Sequence, residues 1–586
     1  MHDTIIRGGS VVDGTGAAPF TADIAITDGR IAEVGKMTSP AREEIGADGA
    51  LVTPGFVDIH THYDGQFLWD DEMEPSFSNG VTTAIAGNCG VGFAPVDKPY
   101  REALIDLMDG VEDIPGIVLN EGLDWGWTSF PDYLNRLEQR RYTMDVASHL
   151  PQAPLRVFVM GERALSHEQA TAQDLEEMAR LVKEAMAAGA IGFSGSRILE
   201  HMSRSGEHVP GTFAAEEELL TVARSMRGFN HGVFQMAPLG AGGDSIGLQP
   251  SWDERVAEHA RMERLAEACQ RPFTYIVHSS NHEPEEWRML VDASAKANER
   301  GLQIVPQIAA RGLGFLFGLD AFHIFVLKPS YREIAHLPRA ERAAAMRDPA
   351  RRKAILSEEN STEGYPQADR LLLMVSRFGT MLQKFYVLDE RVDYEPDESA
   401  RLDILAANTG RTMEEVFYDT IATGDGRCTV VNFLMNYTHG NLDSVHDMLA
   451  DPNTVSGLGD GGAHLAVICD GSMPTFHLSF WSRDRSRGPK LPVEQTVRKI
   501  TGKPAWLYGL SDRGTIAPGK RADLNVIDFD NIGIDMPEMR FDLPLGSPRL
   551  LQDGRGYLAT LVNGEVTRRH DADTGARPGR LVRGGR

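Results

Sequence analysis

The sequence predicts an α/β chain: a (β/α)8, TIM-like barrel with a small β-sandwich assembled from both chain ends. Two observations carry this. Between residues 59 and 500, helical stretches feed short apolar strands repeatedly. Units of that size imply parallel strands, and eight of them close a barrel. At the two ends the apolar period drops to two, the mark of half-buried strands. An open doubly wound sheet is the alternative, but no Gly-rich phosphate loop favours it.

The first 58 residues alternate in Thr4-Ile-Ile-Arg-Gly-Gly-Ser-Val-Val-Asp13 and again from Ala22 to Gly35, with Asp28-Gly29 as a hairpin signal between two runs. Residues 501–586 repeat that character in Ala522-Asp-Leu-Asn-Val-Ile-Asp528 and from Tyr557 to Thr567, so the ends are expected to pair. Within 59–500, Leu175, Met178, Ala179, Val182 and Met186 recur at helical spacing, stop at Gly189 and lead into Ala190-Ile-Gly-Phe-Ser194. Further helices are expected over 215–228, 254–270, 285–301 and 443–450. Each is followed by a strand, the last running into Asp460. Residues 312–425 break the rhythm with charged helical stretches such as 339–358 and the irregular Tyr365-Pro-Gln-Ala368. They are read as an insertion near the barrel mouth, a lid or a structural embellishment.

Composition removes several function classes. A net charge of −25 offers no basic face to nucleic acid and nothing to an anionic membrane. No apolar run approaches the roughly 18 residues a bilayer requires. The opening residues show no basic stretch followed by an apolar core. Four cysteines (Cys89, Cys269, Cys428 and Cys469) do not make a disulfide framework. The expectation is a cytoplasmic, reduced protein acting on a small molecule. A homo-oligomer is open, although no isolated apolar stripe marks an interface.

The densest chemistry lies in Thr53-Pro-Gly-Phe-Val-Asp-Ile-His-Thr-His62. His60 and His62 stand at i and i+2 after an apolar strand, so both imidazoles point one way and converge. Two converging neutral imidazoles are a metal-ligand arrangement, with zinc the usual guest. Barrel active sites sit at the C-terminal ends of the strands. That rule directs attention to Cys89 after Thr82-Thr-Ala-Ile-Ala86, His278 after Phe273-Thr-Tyr-Ile-Val277, Arg311 after the next strand, and Asp460 after the last.

These segments resemble a known family. Pro54-Gly-Phe-Val-Asp-Ile-His-Thr-His62 looks like the first barrel strand of the amidohydrolase superfamily. Phe77-Ser-Asn-Gly-Val-Thr-Thr-Ala-Ile-Ala-Gly-Asn-Cys-Gly90 resembles the second-strand segment of the N-acyl-D-amino-acid deacylases, and Gly457-Leu-Gly-Asp-Gly-Gly-Ala-His464 their last barrel strand. Pro518-Gly-Lys-Arg-Ala-Asp-Leu-Asn-Val-Ile-Asp528 resembles the segment that closes these proteins. The resemblance implies one or two Zn2+ ions, another divalent metal also being suited, held by His60, His62, Cys89, His278 and Asp460. It implies that Asp460 is the catalytic carboxylate, with His464 beside it on the carbonyl oxygen or the substrate. The lysine that bridges two metals in much of the superfamily is absent from Gly189 to Arg197, which fits the cysteine-type subgroup. Two departures stand out. The basic residue after the sixth-strand histidine is replaced by Ser279-Ser280, and the fifth strand carries Gln235 where a histidine ligand is expected. A glutamine amide is a poor zinc ligand. Either the site has one fewer good ligand, or another residue substitutes, with His231, His282, His201 and His208 as candidates.

Arg311 is a candidate clamp for a substrate carboxylate, with Arg197, Gln235 and Tyr437 as further substrate-binding candidates. Phe315, Phe317 and Phe322 are read as either core or an aromatic acyl pocket. The function implied is hydrolysis of a linear amide, an N-acyl-D-amino acid giving a carboxylate and the D-amino acid. Asp460 would take a proton from the attacking water and return it to the leaving nitrogen. Another amide, a cyclic imide or a lactone is the alternative substrate. A non-catalytic scaffold is a third reading, against which the convergent ligands argue.

Overall fold

Nine short parallel strand segments make the centre of the chain in the computed structural model, which describes residues 1–243, 249–364 and 368–585. Phe56–Asp58 pairs with Val81–Ala86, and that strand with Asp145–Ser148. The chain resumes after His149 as Leu150–Pro151. It then pairs in register through Gly192–Ser196, Val233–Ala237, Phe273–Val277, Ile304–Ile308 and Val455–Ser456. All these pairings are parallel. The last strand also reaches the first: the Asp460 amide donates to the His60 carbonyl at 3.0 Å, and the His62 amide to the Gly461 carbonyl at 2.8 Å. Val57, Ile85, Ala147, Ile191, Val233, Val305 and Val455 join Leu507 and Tyr508 in one buried cluster. Side chains from successive strands thus meet in one core.

Local sequence explains the helices between the strands. Ala172–Ala188 opens on a reciprocal cap between Thr171 and Asp174, and stops at Gly189, whose φ of 101° is left-handed. Trp252–Cys269 opens on the same device with Ser251 and Glu254. Their buried apolar residues join one core cluster with Phe193, Phe234 and Phe273 of the strands, and among the described residues no helix is long and apolar enough to cross a membrane.

The two chain ends share one nine-stranded sheet. Leu51–Pro54 pairs on one side with His2–Val11 and on the other with Leu524–Ile527, which continues to Tyr557–Val562. The Asp28-Gly29 turn joins Phe20–Thr27 to Arg30–Gly35 with φ of 51° and 72°, the mirror-image turn this dipeptide favours.

Between the seventh and eighth parallel strands the chain builds a separate body. Leu313–Phe317, Phe385–Leu388 and Thr429–Met435 form an antiparallel sheet. Phe317, Phe325, Phe385, Phe417 and Tyr418 form its core. Thr429–Met435, which lies beyond the 312–425 segment read as an insertion, pairs with Leu313–Phe317. The charged stretch 339–358 is two helices, Arg339–Met346 and Pro349–Ser357, parted at Asp348-Pro349. Of the irregular stretch that starts at Tyr365, residues 365–367 lie outside the described residues.

Candidate metal centre

The backbone that carries Asp460 is as specific as the side chain. Asp460 sits at φ 44°, in a run of small residues pressed against the first strand. A Cβ on Gly459 would come within 2.0 Å of Asp58 Oδ2, so only glycine fits there. Asp58 Oδ1 accepts the His60 amide at 3.1 Å. One buried carboxyl thus locks the end of the last strand to the histidine pair.

Above this joint three side chains gather. His60, His62 and Cys89 are all buried, and one ligand atom from each lies within 4.8 Å of the others. His60 Nε2 stands 3.3 Å from Cys89 Sγ. Asp460 Oδ1 lies 3.7 Å from His60 Nε2 and 3.8 Å from His62 Nε2, with no hydrogen-bond partner of its own. The Asp460 side chain keeps 16% exposure, so it faces both the cluster and solvent.

The donor set fits a cation. Ligands at about 2.0–2.3 Å around a tetrahedral zinc stand about 3.5 Å apart, close to the His60–Cys89 separation. Burial pushes the His60 imidazole down to about 4. It also holds His62 well below its ordinary value, helped by the neighbouring His60. Burial first, then the charges of Glu112 and Asp460, pushes the Cys89 thiol well up. Asp460 and Glu112 are likewise raised far above the carboxylate range by burial. Neutral imidazoles face a thiol and carboxyls that no lysine or arginine neutralises among the described residues. Such a set could hold a divalent ion.

The other expected ligands do not join. His278 is buried one residue past the sixth strand, but it is not part of the three-residue cluster. Gln235 is fully buried at the fifth strand, and its Oε1 accepts the Cys89 amide at 3.1 Å. It therefore holds the cysteine loop rather than reaching for substrate. His201 stays near the centre, where burial and the charges of His464 and His60 push it down to about 3. His231 bonds the Met186 carbonyl at the opposite strand end. His208 packs on Phe213 and His167, and His282 is exposed. His464 lies at the rim at φ 54°, its amide donating to the Glu112 carbonyl and its Nε2 3.8 Å from Glu112 Oε2.

The expected substrate clamps are corrected by their partners. Arg311 is buried, and its two terminal nitrogens bond Ser472, Gln552, Cys469 and Asp470, while its Nε has no hydrogen-bond partner among the described residues. Arg197 pairs with Glu258 at 3.0 Å and donates to the Thr212 carbonyl. Tyr437 donates to the Pro396 carbonyl and packs on Phe433 in the main core. Phe317 packs on Phe322, Phe378 and Phe385, and Phe315 on Phe378, so these rings are core rather than pocket.

Two residues at this centre carry no sequence signal. Gln307 Oε1 lies 2.9 Å from His60 Nδ1, and Glu112 Oε1 lies 3.3 Å from His62 Nδ1. Gln307 reads as an ordinary strand residue, and Glu112 follows a helix that belongs to no motif.

An amidohydrolase family model matches residues 43–568. The D-aminoacylase of Alcaligenes xylosoxydans xylosoxydans is 26% identical over 594 residues, covering 99% of this chain and 97% of its own. The N-acyl-D-glutamate deacylase of the same organism is 32% identical over 223 residues, 38% of this chain and 41% of its own. A crystal structure of D-aminoacylase superposes with a TM-score of 0.62 at 24% identity, covering both chains in full. The N-acyl-D-glutamate deacylase from Bordetella bronchiseptica, complexed with zinc and a phosphonate inhibitor, gives 0.62 at 22% identity with 99% of each chain covered. At these identities the structural likeness is one of fold.

Proposed function

The chain belongs to the amidohydrolase family, and from that premise we propose that it hydrolyses a linear amide, an N-acyl-D-amino acid, with a divalent metal, most suitably zinc. We read its parallel strands as a closed (β/α)8 barrel, the shared sheet of the two ends as a β-sandwich domain, and residues 313–435 as an insertion at the mouth. The observation that carries the function is the convergence of His60, His62 and Cys89 on one point faced by Asp460 Oδ1.

His60, His62, Cys89 and Asp460 would hold the ion, which when bound polarises the scissile carbonyl and acidifies water. Asp460 takes the proton of the attacking water on Oδ1 and returns it to the leaving nitrogen, without which an amide leaves poorly. His464 stands at the rim, where a carbonyl oxygen or the leaving group passes. The buried floor under these groups excludes bulk water from the reacting bond.

The test is amine release from N-acetyl-D- and N-acetyl-L-amino acids by zinc-loaded protein. Release from the D forms alone supports the reading; no release from either, by folded and loaded protein, sinks that substrate class. A second reading has its own support. Arg311 and Arg197 are both spent on internal acids, so neither is free to bind a substrate carboxylate. A substrate without one (another amide, a cyclic imide or a lactone) suits that arrangement.

A further inference from the structure

We propose that Glu112 and Gln307 are positioning residues that turn the Nε2 atoms of His62 and His60 toward the point shared with Cys89 and Asp460. The inference rests on the metal-dependent reading above. An imidazole ligates through a lone pair on one nitrogen, so the other nitrogen carries the proton and needs an acceptor. For His60 that acceptor is in place: Nδ1 meets Gln307 Oε1 at 2.9 Å while Nε2 faces Cys89 Sγ at 3.3 Å. For His62, Nε2 faces Asp460 Oδ1, and Nδ1 stands 3.3 Å from Glu112 Oε1.

His62 Nδ1 and Glu112 Oε1 are both buried and have no hydrogen-bond partner elsewhere. Buried polar atoms seldom stay unpaired, and these two need only a small ring rotation to bond. Glu112 is held in place for that bond. It follows the helix Arg101–Val111, and its carbonyl accepts the His464 amide, fixing the carboxyl between the two histidines. It has no arginine or lysine partner among the described residues, so ion pairing does not explain its burial. Gln307 is fully buried in the seventh strand, and its Nε2 has no partner, so the amide is there for its oxygen.

Both histidines therefore take the same tautomer from acceptors far along the chain. Loss of either acceptor frees one ring to turn and weakens the metal site without touching a ligand.

The experiment measures metal affinity by chelator competition, and the absorption of the cobalt(II)-substituted protein. It compares Glu112→Leu and Gln307→Leu with the conservative Glu112→Gln and Gln307→Glu, which keep an acceptor oxygen. We expect the leucine variants to bind metal about 10- to 100-fold more weakly. The conservative pair should stay within several-fold of wild type but with shifted cobalt bands, because the ring donors change in basicity. Unchanged affinity in both leucine variants overturns the inference, as does an equal loss in all four. If a leucine variant fails to fold, unshifted cobalt spectra in the conservative pair overturn it instead. Wild-type protein that binds no metal overturns the proposed function and this inference together. Wild-type binding with indifferent variants overturns this inference alone.

Discussion

Replacing Arg311 with leucine should damage the fold and leave substrate affinity almost untouched. One terminal nitrogen donates to Ser472 Oγ at 3.0 Å and Gln552 Oε1 at 3.2 Å; the other donates to the Cys469 carbonyl at 2.9 Å and Asp470 Oδ1 at 3.1 Å. The guanidinium plane lies 3.9 Å from the centre of the Tyr394 ring. Asp470 is itself buried, so losing Arg311 strands a carboxyl with no countercharge. Breaking a buried pair from one side costs about 3–5 kcal/mol. Stacking on Tyr394 adds up to about 2 kcal/mol when desolvated, and the two are not additive. The assay is urea unfolding of Arg311→Leu, Asp470→Leu and the double variant, with KM measured on each soluble form. The double variant should recover much of the loss, because an apolar pair replaces an ionic one. A stability loss under about 1 kcal/mol with KM raised tenfold would refute this reasoning and return the guanidinium to the substrate.

Three further outcomes are expected. Asp460→Asn should lower kcat by about 10²- to 10⁴-fold, the range for a lost general acid–base, while the protein still folds; an undiminished kcat would shift the role to Glu112 or His464. Glu74, buried and bonded to Ser78, is raised by burial from 4.5 to about 7. The folded state holds this proton longer than the unfolded chain. Its contribution is therefore full below pH 4.5 and is lost as pH rises through about 7, at most about 3 kcal/mol at 1.36 kcal/mol per pH unit. Glu74→Gln should flatten that slope in denaturation curves taken from pH 4 to 8. Phe317→Ala, at the centre of the inserted aromatic core, should cost about 3–5 kcal/mol. Limited proteolysis should then open residues 313–435 before the rest; cleavage unchanged from wild type would place the stability of that body elsewhere.

What the sequence makes legible is what geometry fixes locally. His60 and His62 share a face because strand side chains repeat every two residues. Cys89 and Asp460 are visible because they end apolar runs. The helix predicted over 443–450 spans those residues in the structure. Failures occur where partners come from afar. Arg311 looks like a strand-end clamp until Asp470 and Gln552 are seen, 159 and 241 residues further along the chain. The phenylalanines that suggested an acyl pocket are claimed by rings at 378 and 385, inside a body whose last strand the charge pattern hid.

Gln235 shows how a residue singled out by resemblance can take another part in the structure. Resemblance to the N-acyl-D-amino-acid deacylases implies a histidine at this position, and the natural next step is to search other histidines for a substitute. In the structure Gln235 plays a different part, because its Oε1 holds the Cys89 amide at a residue whose φ of 52° needs support. On the proposed metal-dependent reading, a histidine at that place would serve as a ligand but leave the cysteine loop without this acceptor. The exchange therefore trades a ligand for a scaffold bond. The ligand work then concentrates on the first strand, whose histidines meet Gln307 and Glu112 from behind. On this argument the centre is organised around His60 and His62, and its behaviour should follow their orientation more closely than any substitute at the fifth strand.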